Sequence, residues 1–281
     1  MRSTIASGHR WRERQLNDAA ARYIHGHHES VLRSHGWRTA ENSAAYLLPH
    51  LVSGMSLLDV GCGPGTITAG LAARVAPGPV TALDSSADAA HRARQEISAR
   101  GNVTLAVADV HALALPDDTF DVTHAHQVLQ HVGDPVTALT EMRRVTRPGG
   151  LVAARDSDYS AFDWYPRVPE LDEWLARYRR AARAAGGEPD AGPRLAGWAR
   201  AAGFTEIVTS AAQWRFSSED DRSWWAETQA ERVTRAALGR TFLADGADEG
   251  DLHRMADGWL RWAAHPDAWF TVPHHEILCR V

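Results

Sequence analysis

Three acids and a glycine-rich turn are the residues most able to do chemistry in this sequence. The turn is Leu57-Leu58-Asp59-Val60-Gly61-Cys62-Gly63-Pro64-Gly65-Thr66, a short apolar run that meets closely spaced glycines. Glycines there allow a tight turn and let a ligand approach the backbone. The helix that follows offers free N–H groups and a positive dipole end. Asp59 precedes the first glycine. Asp84 ends the next apolar run and Asp109 the one after. Asp84 stands about 20 residues beyond the turn, the spacing of a ribose-binding acid. Its carboxylate can accept bonds from both ribose hydroxyls. Asp109 can accept from an adenine amino group, and Asp59 can orient the glycine loop and the far end of the ligand. Any one of these acids reads equally well as a helix N-cap. All three together with the turn point to a nucleoside ligand. A glycine turn alone would not, since nicotinamide and flavin enzymes also use one.

Elements that could position these acids follow from the apolar pattern. Ser56–Val60, Val80–Leu83, Val103–Val107, Phe120–Ala125 and Leu151–Ala154 read as short buried strands. Between them Gly65–Val75, Ala87–Arg100 and Pro135–Thr146 read as helices, with breaks at Pro77-Gly78-Pro79, Gly101 and Pro148-Gly149-Gly150. Such alternation implies a doubly wound parallel sheet, helices on both faces. Asn17–His35 and Glu41–Leu51 read as amphipathic helices ahead of it. Beyond Asp156, Leu171–Ala185 and Leu195–Ala202 read as helices, Thr205–Phe216 as a strand, and Ser217–Phe270 as a tryptophan-rich helical stretch. A last strand is expected at Glu276–Val281. The resulting division is an N-terminal helical arm or lid at 1–40, a nucleoside-binding core at 41–160, and a helical lid segment at 161–203. A returning strand at 204–216, a Trp-rich insertion at 217–272 and a last strand at 273–281 complete it.

Composition narrows the function. The chain has 281 residues, 44% hydrophobic and 23% charged, with a formal net charge of -5. Without a basic excess, nucleic-acid binding is not expected. No apolar run approaches the roughly 20 residues that span a bilayer, and residues 1–14 lack an apolar signal core, so no membrane association is expected. Cys62 and Cys279 are too few and too far apart for a disulfide framework, and a reducing cytoplasm fits them better. His25, His27 and His28 converge poorly on a helix, no Cys pair supports them or His274 and His275, and no metal site is expected.

The glycine turn resembles motif I of the class I S-adenosylmethionine (SAM)-dependent methyltransferases, in the branch that includes the ubiquinone-biosynthesis methyltransferases. Asp84 matches the acid after the second strand, and Ala108-Asp109-Val110 the adenine motif. Phe120-Asp121-Val122 through His126-Gln127-Val128-Leu129-Gln130-His131-Val132 resembles the fourth-strand motif. Asp134-Pro135, Glu141-Met142-Arg143-Arg144-Val145 and Arg147-Pro148-Gly149-Gly150 extend the match, which spans roughly Leu57 to Ala154. The resemblance implies a Rossmann-like seven-stranded sheet with helical lids, SAM as cofactor and S-adenosylhomocysteine as product. It implies that Gly61, Cys62 and Gly63 line the cofactor, Asp84 and Ser85 hold the ribose, Asp109 and Val110 edge the adenine, and His126 and Gln127 sit near the methionine part. Tyr23, His28 and Arg38 could close over it, Arg38 pairing with the cofactor carboxylate.

The expected reaction is methyl transfer to the O, N or C atom of a small metabolite. Its alternatives are a SAM-binding protein without transfer, acting as a sensor or cyclase, and a macromolecule methyltransferase. His131 is the first candidate for a general base, since in this family it faces the crevice, with packing or capping as its other reading. Beyond the fifth strand, Asp158 is a candidate to orient or deprotonate substrate and Tyr159 to hydrogen-bond it, the other reading being a charged loop that caps the next helix. Helically spaced tryptophans read first as core, with one or two expected to touch substrate. The N-terminal arm could cover the protein's own site or exchange with a neighbour to make a homo-oligomer.

Overall fold

The structure, a computed structural model, describes residues 36–97 and 100–281. The expected helix at Asn17–His35, with Tyr23 and His28, lies outside the described residues. Four parallel registers are formed by the expected strands. β1 (Leu57–Val60) pairs with β2 (Val80–Asp84) and with β4 (Phe120–His126). β3 (Val103–Val107) pairs with β2, and β5 (Thr146–Ser157) with β4. β1 is buried at all its positions, as expected for a central strand covered on both faces. Its side chains alternate between two apolar layers, one containing Leu58, Val60 and Leu139, the other Leu57, Leu71 and Val122.

Sheet order is β3-β2-β1-β4-β5-β8-β6, with β7 (Glu206–Phe216) also on β8 (Trp269–Arg280). β8 runs antiparallel to β5 through Leu151↔Arg280 to Ser157↔His274. β6 (Asp163–Tyr165) then takes over with Asp163↔Thr271 to Tyr165↔Trp269, while β7 follows β8 throughout. A strand has two edges, so β6 continues the line of β5. It is the eighth strand, where seven were expected.

Three boundaries differ from the sequence reading. β5 runs on through Arg155, Asp156 and Ser157, all buried. That polar triplet stays in the sheet because β8 supplies ladder partners at His274, His275 and Glu276. β8 begins at Trp269, inside the expected insertion. The expected helix Glu41–Leu51 is instead a short turn, Ala40–Ser43, and a 3-10 turn, Leu48–His50, with Pro49 in its first turn. The short helix is capped by Thr39 and Asn42.

Helices Pro169–Ala184, Glu219–Arg235, Ala237–Ala244 and Glu249–Ala264 pack with the stretch of sheet where β7 ends and β8 begins, at Trp214, Phe216, Phe270 and Val272. They close on a separate aromatic core that includes Trp174, Trp225, Trp259, Trp262 and Phe270. Among the described residues no helix is long and apolar enough to cross a membrane.

Candidate active site

β1 hands the chain to helix Thr66–Val75 through three glycines with positive φ: Gly61 at 68°, Gly63 at 53° and Gly65 at 89°. L side chains rarely adopt these angles. At Gly61 a Cβ would also stand 2.4 Å from Val128 Cγ2, whereas at Gly63 it would meet nothing within 4 Å. The loop is packed behind Gly61 and open at Gly63. Cys62 N donates to Leu83 O at 2.9 Å, fastening the turn to β2. The Cys62 thiol is pushed well above its ordinary pKa by burial and by Asp59 and Asp84, so it is inert.

Asp84 is the hinge of this half. Its Oδ2 accepts from Gly63 N at 3.0 Å and its Oδ1 from Ser86 N at 2.9 Å. Each oxygen keeps a lone pair, and Asp84 and Ser85 line the cavity beyond it. Asp109 and Val110 line the same half. Asp109 Oδ1 accepts from His111 N at 3.0 Å and lies 2.7 Å from His111 Nδ1. His111, which sequence reasoning missed, also lines the cavity.

Asp59 supports the glycine turn from behind. Its Oδ2 accepts from Thr68 Oγ1 at 2.5 Å and its Oδ1 lies 2.8 Å from His124 Nδ1. The side chain is buried, and both oxygens are engaged in tying the first helix to β4. It lines the cavity as a support for the turn.

One cavity of about 360 Å³ joins these strand ends to the aromatic core. His126 and Gln127 sit at the junction. His126 is held well below its ordinary pKa, first by burial and then by Arg155 and Arg38, so it is neutral. Gln127 has a positive φ of 52° and donates from Nε2 to Ser157 Oγ at 2.7 Å, with His274 Nε2 at 2.8 Å. Behind them Arg155, 1% exposed, pairs through Nε with Glu276 Oε1 at 3.2 Å, and Ser210 Oγ donates to Glu276 Oε2 at 2.6 Å. Arg155 and Arg38 both face the ring of Trp214, at 5.0 and 5.4 Å. Arg38 lines the cavity. The Arg155–Glu276 pair was hidden in the sequence by a separation of 121 residues.

The three catalytic candidates part company. His131 lines the cavity, with Nε2 3.0 Å from Gln130 Nε2. Burial, then the charge of Arg38, lowers its pKa to about 3. A proton on His131 is disfavoured by desolvation and by the charge of Arg38, which weighs toward its packing reading over the general-base one. Tyr159 also lines the cavity, stacked between Phe162 at 4.2 Å and Tyr178 at 4.3 Å. Burial raises its phenol pKa. Asp158 does not line the cavity. Its Oδ1 caps the 3-10 turn Tyr159–Ala161 through Ser160 N at 3.0 Å, and its Oδ2 is 3.8 Å from His275 Nε2. The capping reading describes its position.

Trp37, Trp174, Trp214 and Trp225 line the aromatic half with Gln229 and Arg232. Helical spacing could not tell these tryptophans from Trp259 and Trp262, which are fully buried core. Among the described residues no group of three His, Cys, Asp or Glu could hold a metal.

A doubly wound sheet with a glycine turn and an acid at each of its first three strand ends defines a nucleotide- or nucleoside-dependent enzyme. Residues 58–154 match the family described as "Methyltransferase domain". A Schizosaccharomyces pombe protein named as an uncharacterized methyltransferase is 34% identical over 91% of this chain and 95% of its own. An Aspergillus luteorubrus protein, ltbC, named as a probable methyltransferase, is 32% identical over 91% and 96%. In fold, the YcgJ protein of a Bacillus aligns with a TM-score of 0.56 at 16% identity, covering 84% of this chain and 97% of its own. The chain belongs to the class I SAM-dependent methyltransferases.

Proposed function

We propose that this enzyme methylates a small molecule enclosed in the aromatic half of the cavity. The observation that carries this reading is the single cavity running from the Gly61–Gly63 turn to the tryptophan chamber. The strand-end half suits the nucleoside part of SAM. The open face at Gly63 leaves room for close backbone approach. In this reading Gly61, Cys62 and Gly63 border the cofactor, Asp84 and Ser85 hold the ribose, and Asp109 and Val110 edge the adenine. His126 and Gln127 flank the methionine part, with Arg38 toward its carboxylate. Tyr159 borders the acceptor.

When bound, SAM supplies an electrophilic methyl group next to a sulfonium. The chain's own part is alignment and exclusion of water. Holding the reacting atoms at attack distance contributes roughly 7–11 kcal/mol of the barrier. Arg155, clamped by Glu276, keeps Trp214 in place as one wall. The net charge of -5 favours a metabolite over RNA. Free, buried Cys62 and Cys279 fit a reducing cytoplasm.

Calorimetric titration of SAM, S-adenosylhomocysteine and NAD, followed by transfer assays with radiolabelled SAM, tests this. Both sulfur nucleosides should bind, NAD should not, and label should enter a small-molecule fraction of a metabolite extract. Label found in protein or RNA alone would overturn the small-molecule assignment. Tight binding with no transfer would favour a non-methylating protein.

A further inference from the structure

β3 ends at Val107, and the chain turns through Ala108, Asp109, Val110 and His111, all of which line the cavity. His111 N donates to Asp109 Oδ1 at 3.0 Å, an aspartate turn closed within three residues. That bond does not call for a histidine, because every residue except proline offers a backbone N–H. The imidazole adds a second bond to the same atom: its Nδ1 stands 2.7 Å from Asp109 Oδ1. A carboxylate only accepts, so Nδ1 carries the hydrogen. The other ring nitrogen, Nε2, is buried and has no partner. The ring's one hydrogen bond is therefore spent on Asp109.

Both bonds converge on Oδ1. Oδ2 accepts nothing from the described residues, although the Asp109 side chain is 41% exposed and borders the cavity. A free aspartate carboxylate turns readily about χ2, which is a broad two-fold torsion. Here the backbone amide and the ring grip one oxygen and so fix the plane of the other. Oδ2 is left as an oriented acceptor at the cavity wall.

We propose that His111 is a positioning residue for base recognition. Through Nδ1 it aims Asp109 Oδ2 at the exocyclic amine of the cofactor's adenine, so that the site selects a 6-amino over a 6-oxo purine. This rests on the cofactor reading of the cavity, which puts the adenine beside Asp109. A 6-oxo purine would set a carbonyl oxygen against a carboxylate oxygen, acceptor against acceptor. A site built to receive an N–H rejects such an analogue because its own polar group is left unpaired.

The test is calorimetry on the full chain with S-adenosylhomocysteine and its 6-oxo analogue S-inosylhomocysteine. Wild type should bind the adenosyl compound about tenfold or more tightly, as expected for a hydrogen bond to a charged group. His111→Leu should lower that preference about threefold or more, by weakening the adenosyl compound and hardly changing the inosyl one. His111→Asn should keep the preference, since its amide nitrogen can take the place of Nδ1. A merely structural histidine would weaken both ligands alike, so an unchanged ratio in His111→Leu overturns the proposal. Loss of the preference in His111→Asn overturns it too, as does a wild type that does not distinguish the two ligands. If His111→Leu does not fold, His111→Gln replaces it, because its amide nitrogen falls nearer the place of Nε2, and it must lower the ratio as well. Wild type that binds neither compound overturns the cofactor reading itself, and the proposal with it.

Discussion

The strand-end half of the cavity is made of backbone, and the aromatic half of side chains. In the first, Gly63 N and Ser86 N meet one carboxylate, and Cys62 N meets Leu83 O. Every one of these partners comes from two adjacent strand ends. In the second, Trp37, Trp174, Trp214 and Trp225 arrive from four separate stretches of chain, held by ring contacts and the Trp214 Nε1 bond to Asn42 O at 2.9 Å. Backbone geometry tolerates few substitutions, because a turn with positive φ restricts the residue types that fit. A wall of side chains tolerates volume-conserving exchange. In the proposed reading, cofactor recognition and acceptor recognition are therefore separable, and substitutions in the aromatic half should redirect the enzyme while sparing the affinity for SAM.

The largest effect that would break this separation is loss of the aromatic core. Trp259 is fully buried and meets Trp174, Trp262 and Phe270 at 5.0, 5.9 and 5.3 Å. Trp259→Ala should cost about 3–5 kcal/mol and lower the melting temperature by about 10 °C. If the halves are separable, the variant still folded at low temperature binds S-adenosylhomocysteine within a few-fold of wild type. A loss of binding in step with the loss of packing would show that the helices and the strand ends form one unit.

Asp84→Ala should show the converse. In the proposed reading its carboxylate accepts two ribose bonds, each worth about 1.5–3 kcal/mol when charge-assisted, and it also fixes Gly63 and Ser86. Affinity for S-adenosylhomocysteine should fall by about a hundredfold or more, read by calorimetry. The melting temperature without ligand should move far less than in Trp259→Ala. A variant that binds normally would remove Asp84 from the cofactor site.

The strand-end half was legible because its signals are local. Gly61, Gly63 and Gly65 had to be glycine, and Asp84 and Asp109 follow apolar runs that end where the structure ends β2 and β3. Asp59 was recognised, but its partner His124 lies 65 residues away, so its anchoring of the first helix to β4 was not. The aromatic half was illegible for the same reason on a larger scale. Arg155-Asp156-Ser157 reads as a polar loop until β8 is known to pair with it. Nothing in the helical spacing of Ser217–Phe270 marks Gln229 and Arg232, which the fold places on the cavity wall with Trp225. Asp158 looked functional for being next to a strand end. Ser157 and Tyr159 on either side of it line the cavity, while Asp158 itself turns to cap the 3-10 turn.

The buried triplet offers a sharper, pH-dependent comparison. Asp156 is buried, and its pKa is raised to about 8, chiefly by desolvation. Its Oδ1 accepts from Gln130 N at 3.1 Å, while its Oδ2 has no partner. A folded pKa above the unfolded value, about 3.9, means that the stability present below pH 4 is lost as pH rises toward 8. Asp156→Asn keeps the Oδ1 acceptor and removes the ionisation. It should raise the melting temperature by about 3 °C or more at pH 8 and change it little at pH 4. Equal shifts at both pH values would mean that Asp156 is not protonated in the folded protein.

The smallest effect tests the boundary of the cavity itself. Asp158 lies one residue before Tyr159, and both are candidates for contact with substrate. The structure gives Tyr159 to the cavity and Asp158 to the turn, where its carboxylate receives Ser160 N. Removing a cap costs about 1 kcal/mol, so Asp158→Ala should lower the melting temperature by about 3 °C. Once an acceptor is in hand, kcat should stay within about twofold of wild type, because no step at the reacting atoms passes through this carboxylate. Tyr159→Phe, by contrast, alters the wall and should change KM for the acceptor while sparing the affinity for S-adenosylhomocysteine. A fall in kcat of a hundredfold or more in Asp158→Ala, with the melting temperature unchanged, would put Asp158 back among the catalytic groups. It would also mean that the loop after β5 closes differently when both substrates are bound.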